Sequence, residues 1–130
     1  VVQYQARARR ATARALRDEV QRATGINFHR RNQDNIGDMK SSPVGQFACL
    51  EQFTPIEIFR CRAPLDLRRK PVVIGGGGLF SNEFFARHLA FILASAPRQL
   101  ICWGAGQNTH ETTTPSYPAI LPYFRKALKN

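Results

Sequence analysis

Asp38, Glu83 and His110 are the side chains best suited to take or give a proton, and each lies in or beside a polar or glycine-rich stretch. The first stretch runs Asn35-Ile36-Gly37-Asp38, then Ser41-Ser42-Pro43. Gly37 permits a tight turn. Asn35 and Asp38 suit either holding that turn through backbone amides or contacting a hydroxyl or phosphate ligand. Ser41 and Ser42, with the amides around them, suit a helix start and an anion site there. The second stretch, Gly75-Gly76-Gly77-Gly78, has successive amides with no side chain in front of them. Such backbone can approach an anion or lie against a ligand ring. Glu83 follows at the expected start of a helix, where its charge suits both the helix dipole and the work of a base. The third stretch holds Gly104, Gly106, Asn108 and His110. His110 suits acid–base work or hydrogen bonding to a carboxylate or phosphate, and equally an ordinary surface loop.

Several familiar chemistries are missing. The glycine run contains neither GxGxxG nor GxxxxGK[ST], so it lacks the dinucleotide and P-loop signatures. There is no GxSxG elbow. His29, His88 and His110 lack metal-ligand spacing, and no metal site is expected. Cys49, Cys61 and Cys102 are widely spaced and form no CxxC, which argues against a disulfide framework or zinc knuckle. Cys102, in an apolar run, is expected to be a small buried hydrophobe, and Trp103 core or pocket wall.

The elements that position these residues follow from pattern. Val72-Val73-Ile74 ahead of the glycines, and Leu100-Ile101-Cys102-Trp103 ahead of Gly104, read as buried strands that stop at ligand-facing turns. A helix is expected between them over 79–96, with Ser81 as its cap and Pro97 beyond its end. Shorter strands are expected at 26–29 and 56–59, and a last helix over 117–128. Residues 4–23 repeat apolar side chains at helical spacing, with Asp18 and Arg22 an i,i+4 pair and Gly25 as a left-handed stop. Strand–helix–strand order predicts an α/β fold with a parallel sheet and helices on both faces. The loops 30–43, 75–83 and 104–111 then lie at the carboxyl ends of strands, where such folds bind ligands.

Length and composition allow one domain with a real core: 130 residues, 43% hydrophobic. No run is long and apolar enough for a membrane span, and the arginine-rich start lacks the apolar core of a secretion signal. Net charge is +10, from 19 basic against 9 acidic residues, fifteen of the basic ones arginine. That balance points to anionic partners. The chain starts without Met and stops inside its last expected helix, so it reads as a piece of a longer protein.

Together, Asn35-Ile36-Gly37-Asp38, the strand into Gly75-Gly76-Gly77-Gly78-Leu79-Phe80, and Trp103-Gly104-Ala105-Gly106-Gln107-Asn108 resemble the amino-terminal half of the polysaccharide pyruvyl transferase family, over roughly residues 26–112. The resemblance implies a Rossmann-like lobe, one half of a two-domain transferase of the GT-B type. A basic helix over 1–25 would precede a lobe over 26–130 that is incomplete without its carboxyl-terminal partner. It implies transfer of a pyruvyl group from phosphoenolpyruvate, as donor and with no cofactor, to hydroxyls of a cell-surface polysaccharide or its lipid-linked precursor. Asp38, His110 and Glu83 would then serve acid–base work. Asn35, Gly37, Ser41, Ser42, Gly75, Gly76, Gly77, Gly78, Gly104, Gly106 and Asn108 would line the substrate. The family's arginine and histidine groups for phosphoenolpyruvate come largely from the carboxyl-terminal lobe, so this chain alone is expected to be inactive. The aspartate often found before the family's glycine-rich strand is replaced by Arg69-Lys70-Pro71. A cytoplasmic location is implied, with peripheral contact at the inner membrane face left open.

Three other readings stay open. One is a glycosyltransferase of the same build using a nucleotide-sugar. Another is a basic nucleic-acid-binding module using Arg7, Arg10, Arg14 and Arg17 on one helix face, although RNP aromatics, zinc fingers and helix-turn-helix signals are missing. The last is a folded remnant without activity.

Overall fold

The computed structural model of the chain describes residues 2–31, 34, 40–76, 83–104 and 125. Within them it is an α/β structure: α1 (Val2–Arg22), β1 (Gly25–His29), β2 (Phe53–Glu57), β3 (Pro71–Gly75), α2 (Glu83–Ala94) and β4 (Gln99–Trp103), with three-residue 3-10 turns at Pro43–Gly45, Ala48–Leu50 and Ile58–Arg60. All strand pairs are parallel, and the sheet order is β2-β1-β3-β4. This is a Rossmann-like lobe. From β1 the chain steps one way to β2, then back across to β3. That reversal puts the topological switch point between β1 and β3, where open parallel sheets leave a crevice at their carboxyl ends.

Ile26 and Phe28 of β1, Ile56 of β2, and Val72 and Ile74 of β3 share one face by strand alternation and register. They join one buried cluster with Leu16 and Val20 of α1 and with Leu89 and Ile92 of α2. Both described helices therefore cover the same face. The expectation of helices on both faces is met differently. The opposite face receives the segment between β1 and β2, which over its described part forms 3-10 turns: Pro43 lies against Gly75, and Phe47 meets the Trp103 ring edge-on at 4.8 Å. Connections of one hand that step in opposite directions across a sheet must cover opposite faces, so the β1–β2 connection cannot share the helices' side.

Several boundaries differ from the sequence expectation. The strand expected at 56–59 is 53–57, and Ile58–Arg60 turns away as a 3-10 segment. The ladder explains this: β1 ends at His29, which pairs with Glu57, so residue 58 has no partner strand. Ile58 stays buried regardless. Gly25 does not cap α1; it begins β1 without a left-handed φ. A Cβ there would sit 2.7 Å from the Phe53 ring, so glycine lets that ring lie close on the strand and any side chain would have to displace it. The carboxyl end of α1 is closed instead by the Lys70 ammonium, which donates to the carbonyls of Gln21 and Ala23. Among the described residues, the ion pair of this helix is made by Glu19, not Asp18, to Arg60 at 2.6 Å. Of the expected apolar stripe, Leu16, Val20 and Ala23 are buried while Ala11 and Ala15 are exposed.

α2 stops at Ala94, ahead of Pro97. Ala96 takes the left-handed φ of +50° that often ends a helix, and the Ser95 hydroxyl donates to the Phe91 carbonyl while accepting from the Leu65 amide. Phe85 stacks on Phe59, and the His88 ring bonds the Cys61 carbonyl at 2.7 Å. These contacts tie α2 to the segment after β2. The expected start of α2 over 79–82, with Ser81, and the helix over 117–128 fall outside the described residues, Arg125 excepted. No helix among the described residues is long and apolar enough to cross a membrane.

Candidate functional site

The carboxyl ends of β1, β3 and β4 bring together the described parts of all three stretches singled out in the sequence. The join is made by Asn27, a polar residue with 0% exposure in the middle of β1. β1 alternates, so Ile26 and Phe28 enter the helix-covered core while Asn27 and His29 face the other side. The Asn27 amide nitrogen donates to the Val73 carbonyl of β3 at 3.2 Å. Its side-chain oxygen accepts from the Ser42 hydroxyl at 2.9 Å. A buried amide with both ends paired fixes the neighbouring loop firmly, because breaking either bond leaves a desolvated polar group.

Ser42 therefore does not cap a helix. The turn it precedes is only the 3-10 segment Pro43–Gly45, and its side chain makes no capping bond there. The hydroxyl is directed to Asn27 instead. The loop so anchored lies directly on the glycine run. A Cβ on Gly76 would stand 2.5 Å from the Ser41 carbonyl oxygen and 2.6 Å from its hydroxyl. One on Gly75 would stand 2.5 Å from the Trp103 carbonyl oxygen and 2.6 Å from Pro43. Gly76 also has φ +87° and donates its amide to the Trp103 carbonyl at 3.1 Å. Both glycines thus let the first loop and the end of β4 close over β3. Gly104, also left-handed at φ +57°, has no neighbour within 4 Å of a Cβ position among the described residues.

At the outer side of the crevice, Glu57 ends β2 and receives two donors. The Arg30 guanidinium donates to one oxygen at 2.9 Å, and the Arg31 amide to the other at 2.6 Å. The Arg30 guanidinium also covers the Phe59 ring at 4.6 Å. His29, just before this pair, is buried. The Arg30 charge is therefore answered by Glu57, while Arg31, exposed, is held at the end of β1 through its backbone amide.

Of the residues expected from sequence, Ser41, Ser42, Gly75 and Gly76 converge within this crevice, and Gly104 stands at its open edge. Asn35, Gly37, Asp38, Gly77, Gly78, Gly106, Asn108 and His110 lie outside the described residues, as does the side chain of Glu83. Cys102 is not the buried hydrophobe expected: it is exposed, because β4 is the edge strand of the sheet among the described residues. Trp103 is likewise half exposed, held on one side by Phe47. Sequence reasoning missed Asn27, Arg30 and Glu57. The usable signal for Asn27 was a polar residue within a strand of otherwise apolar neighbours, which must find partners. Among the described residues no three His, Cys, Asp or Glu side chains gather as a metal site would need. Comparison with models of protein families, with curated proteins and with solved structures finds no match for this chain.

Proposed function

We propose that the protein to which this chain belongs transfers a pyruvyl group from phosphoenolpyruvate to a sugar acceptor, forming a ketal. The observation that supports the reading is the meeting at one crevice of residues within or just beyond the three family-like motifs. Ser41 and Pro43 of the first lie on Gly75 and Gly76 of the second, and these lie on the Trp103 carbonyl of the third. Arg30 and Arg31 follow β1 at the same end of the sheet, and Glu57 answers one of their two charges, which leaves a positive balance there. An anionic donor bearing a carboxylate and a phosphate requires such cationic neighbours.

The reaction balances without a cofactor. Two acceptor hydroxyls bond to the central carbon of phosphoenolpyruvate, and the bond from that carbon to the phosphate-bearing oxygen breaks. One hydroxyl proton ends on the methylene carbon, which becomes a methyl group. The other leaves with inorganic phosphate. Asp38, Glu83 and His110 are the candidates for moving these protons. Asn35 and Asn108 are candidates for holding the acceptor. A second lobe would supply the remaining contacts to the donor.

The test uses the complete reading frame that contains this chain, with phosphoenolpyruvate and a pool of soluble or lipid-linked surface glycans. The expected result is acceptor-dependent phosphate release matched by pyruvate retained on the sugar, lowered about 100-fold or more by Asp38→Asn or His110→Ala. A folded protein that turns over no glycan and binds a nucleotide-sugar instead moves the assignment to glycosyl transfer. Unchanged turnover in both variants removes these two residues from the chemistry.

A further inference from the structure

A second concavity lies on the helix-covered side, between α1 and the segment that follows β2. It encloses about 630 Å³. Leu16 of α1 and Phe59, Pro64 and Leu65 of the opposite wall give it an apolar lining. Arg9 and Arg17 stand on the α1 wall, Arg60 and Arg62 on the other. Two of these are fixed to the protein: Arg60 by Glu19 at 2.6 Å, and Arg62 through its Nε to the Phe59 carbonyl at 3.3 Å. Arg9 and Arg17 have no ion pair or side-chain hydrogen bond among the described residues. Their Cα atoms are about 12 Å apart along the helix.

Apolar walls carrying cations on both sides fit one kind of ligand well. A purely apolar molecule leaves the guanidinium groups unanswered, and a bare anion leaves the apolar surface wet. A flat membrane is a poorer fit. The surface is concave, and the flanking outer positions of α1 are exposed alanine and arginine, without the large apolar side chains that enter a bilayer. We infer that this groove binds a single amphipathic anion, a molecule with an apolar body and a phosphate or carboxylate head. The apolar body lies along Leu16, Phe59 and Leu65, and the head is met by Arg9 or Arg17 from one wall and Arg62 from the other. The inference is independent of the reaction proposed above, since it uses none of the residues assigned there.

Octyl phosphate below its micelle concentration is the probe, titrated calorimetrically into the full chain. Saturable one-to-one binding is expected, with octanol and inorganic phosphate each at least about tenfold weaker. Ala13 lines the groove and is exposed, so Ala13→Trp fills it without disturbing the core. That variant and Arg9→Glu/Arg62→Glu are each expected to lose at least about tenfold in affinity. Arg10→Glu and Arg14→Glu, on the same helix but outside the lining, are expected to leave affinity unchanged. A thermal melt by circular dichroism confirms folding of each variant. The inference falls if Ala13→Trp binds as tightly as the parent, or if octanol or phosphate alone matches octyl phosphate. It also falls if the chain binds only vesicles of phosphatidylcholine with phosphatidylglycerol and not the monomeric probe.

Discussion

β3 and β4 read almost alike, as apolar runs that end at a glycine, and they lie side by side in register. Both close on a left-handed glycine, Gly76 at φ +87° and Gly104 at +57°. Their surroundings nevertheless differ sharply. Val73 is 1% exposed, and its neighbour Ile101 is 41% exposed. Ile74 is fully buried, while Cys102 beside it is exposed. Gly75 is hemmed in by Pro43, and Trp103 beside it is 50% exposed. The residue types barely change between the two strands. What changes is that, among the described residues, β3 has strands on both sides and β4 is an edge. An apolar run reports that a strand can be buried; its place in the sheet decides whether it is.

The largest effect should come from cutting equivalent bulk out of each strand. Ile74→Ala is expected to cost about 3–4 kcal/mol, because a buried side chain leaves a cavity among Ile26, Phe28 and the helices. Ile101→Ala is expected to cost under about 1 kcal/mol. Urea denaturation midpoints at constant m-value measure both. Equal losses would break the comparison, and would mean that another surface covers β4 in solution.

The two glycines give the next contrast. Alanine at either position adopts a disfavoured φ, which costs about 1–2 kcal/mol. At Gly104 nothing else stands in the way, so about 1 kcal/mol is expected. At Gly76 the new methyl also meets the Ser41 carbonyl oxygen, raising the expected loss to about 3 kcal/mol. Chemical denaturation of both variants separates backbone strain from crowding. A Gly76→Ala cost no larger than that of Gly104→Ala would show that the Ser41 loop moves aside freely.

Asn27 sharpens the same point from β1. It ties β3, through the Val73 carbonyl, to the loop at Ser42, and no such bond reaches β4. Asn27→Ala is expected to cost about 2 kcal/mol and Ser42→Ala about 1 kcal/mol. In a double-mutant cycle the two should couple by about 1 kcal/mol, whereas Asn27→Ala with Ile101→Ala should add. Additivity between Asn27 and Ser42 would remove the latch.

How far the fold was legible follows from these cases. The parallel α/β arrangement and two of the strands could be read from the strand-to-glycine junctions and the helical run between them, and β1 from its own short run. Those signals are local: apolar periodicity over a few residues, then a turn that only glycine tolerates. The end of β2 at Glu57 was not legible, because it depends on where β1 ends, and Ile56 and Ile58 alternate in either case. The layering of both helices on one face was not legible either, since strand order fixes it. At the candidate site, the sequence singled out stretches whose described parts the fold brings together, but it offered Ser42 as a helix start. Its actual partner, Asn27, lies fifteen residues away, and only the folded sheet brings the two together.

The smallest effect concerns thiols, and it tests burial directly. Cys61 lies in the helix-covered core with 0% exposure, its Sγ 3.6 Å from the Ala63 carbonyl oxygen. Burial pushes its thiol up to about 12. Thiolate is the reactive form, so at pH 8 iodoacetamide should label the exposed Cys49 and Cys102, Cys102 more slowly because partial burial pushes its thiol up, and leave Cys61 until the chain unfolds. The same burial has a sign in pH. A thiol whose folded value lies above its unfolded value favours the folded state fully at neutral pH. That contribution declines as the unfolded chain begins to ionise near pH 9, and is lost as pH rises toward 12. The alkaline fall in melting temperature should therefore be shallower in Cys61→Ala than in the parent, and changed in the same direction but less by Cys102→Ala, because partial burial also pushes the Cys102 thiol up. Prompt labelling of all three thiols would mean that the core beneath α1 and α2 opens far more readily than its packing indicates. Protection of Cys102 would instead put a cover over the edge that β4 presents here.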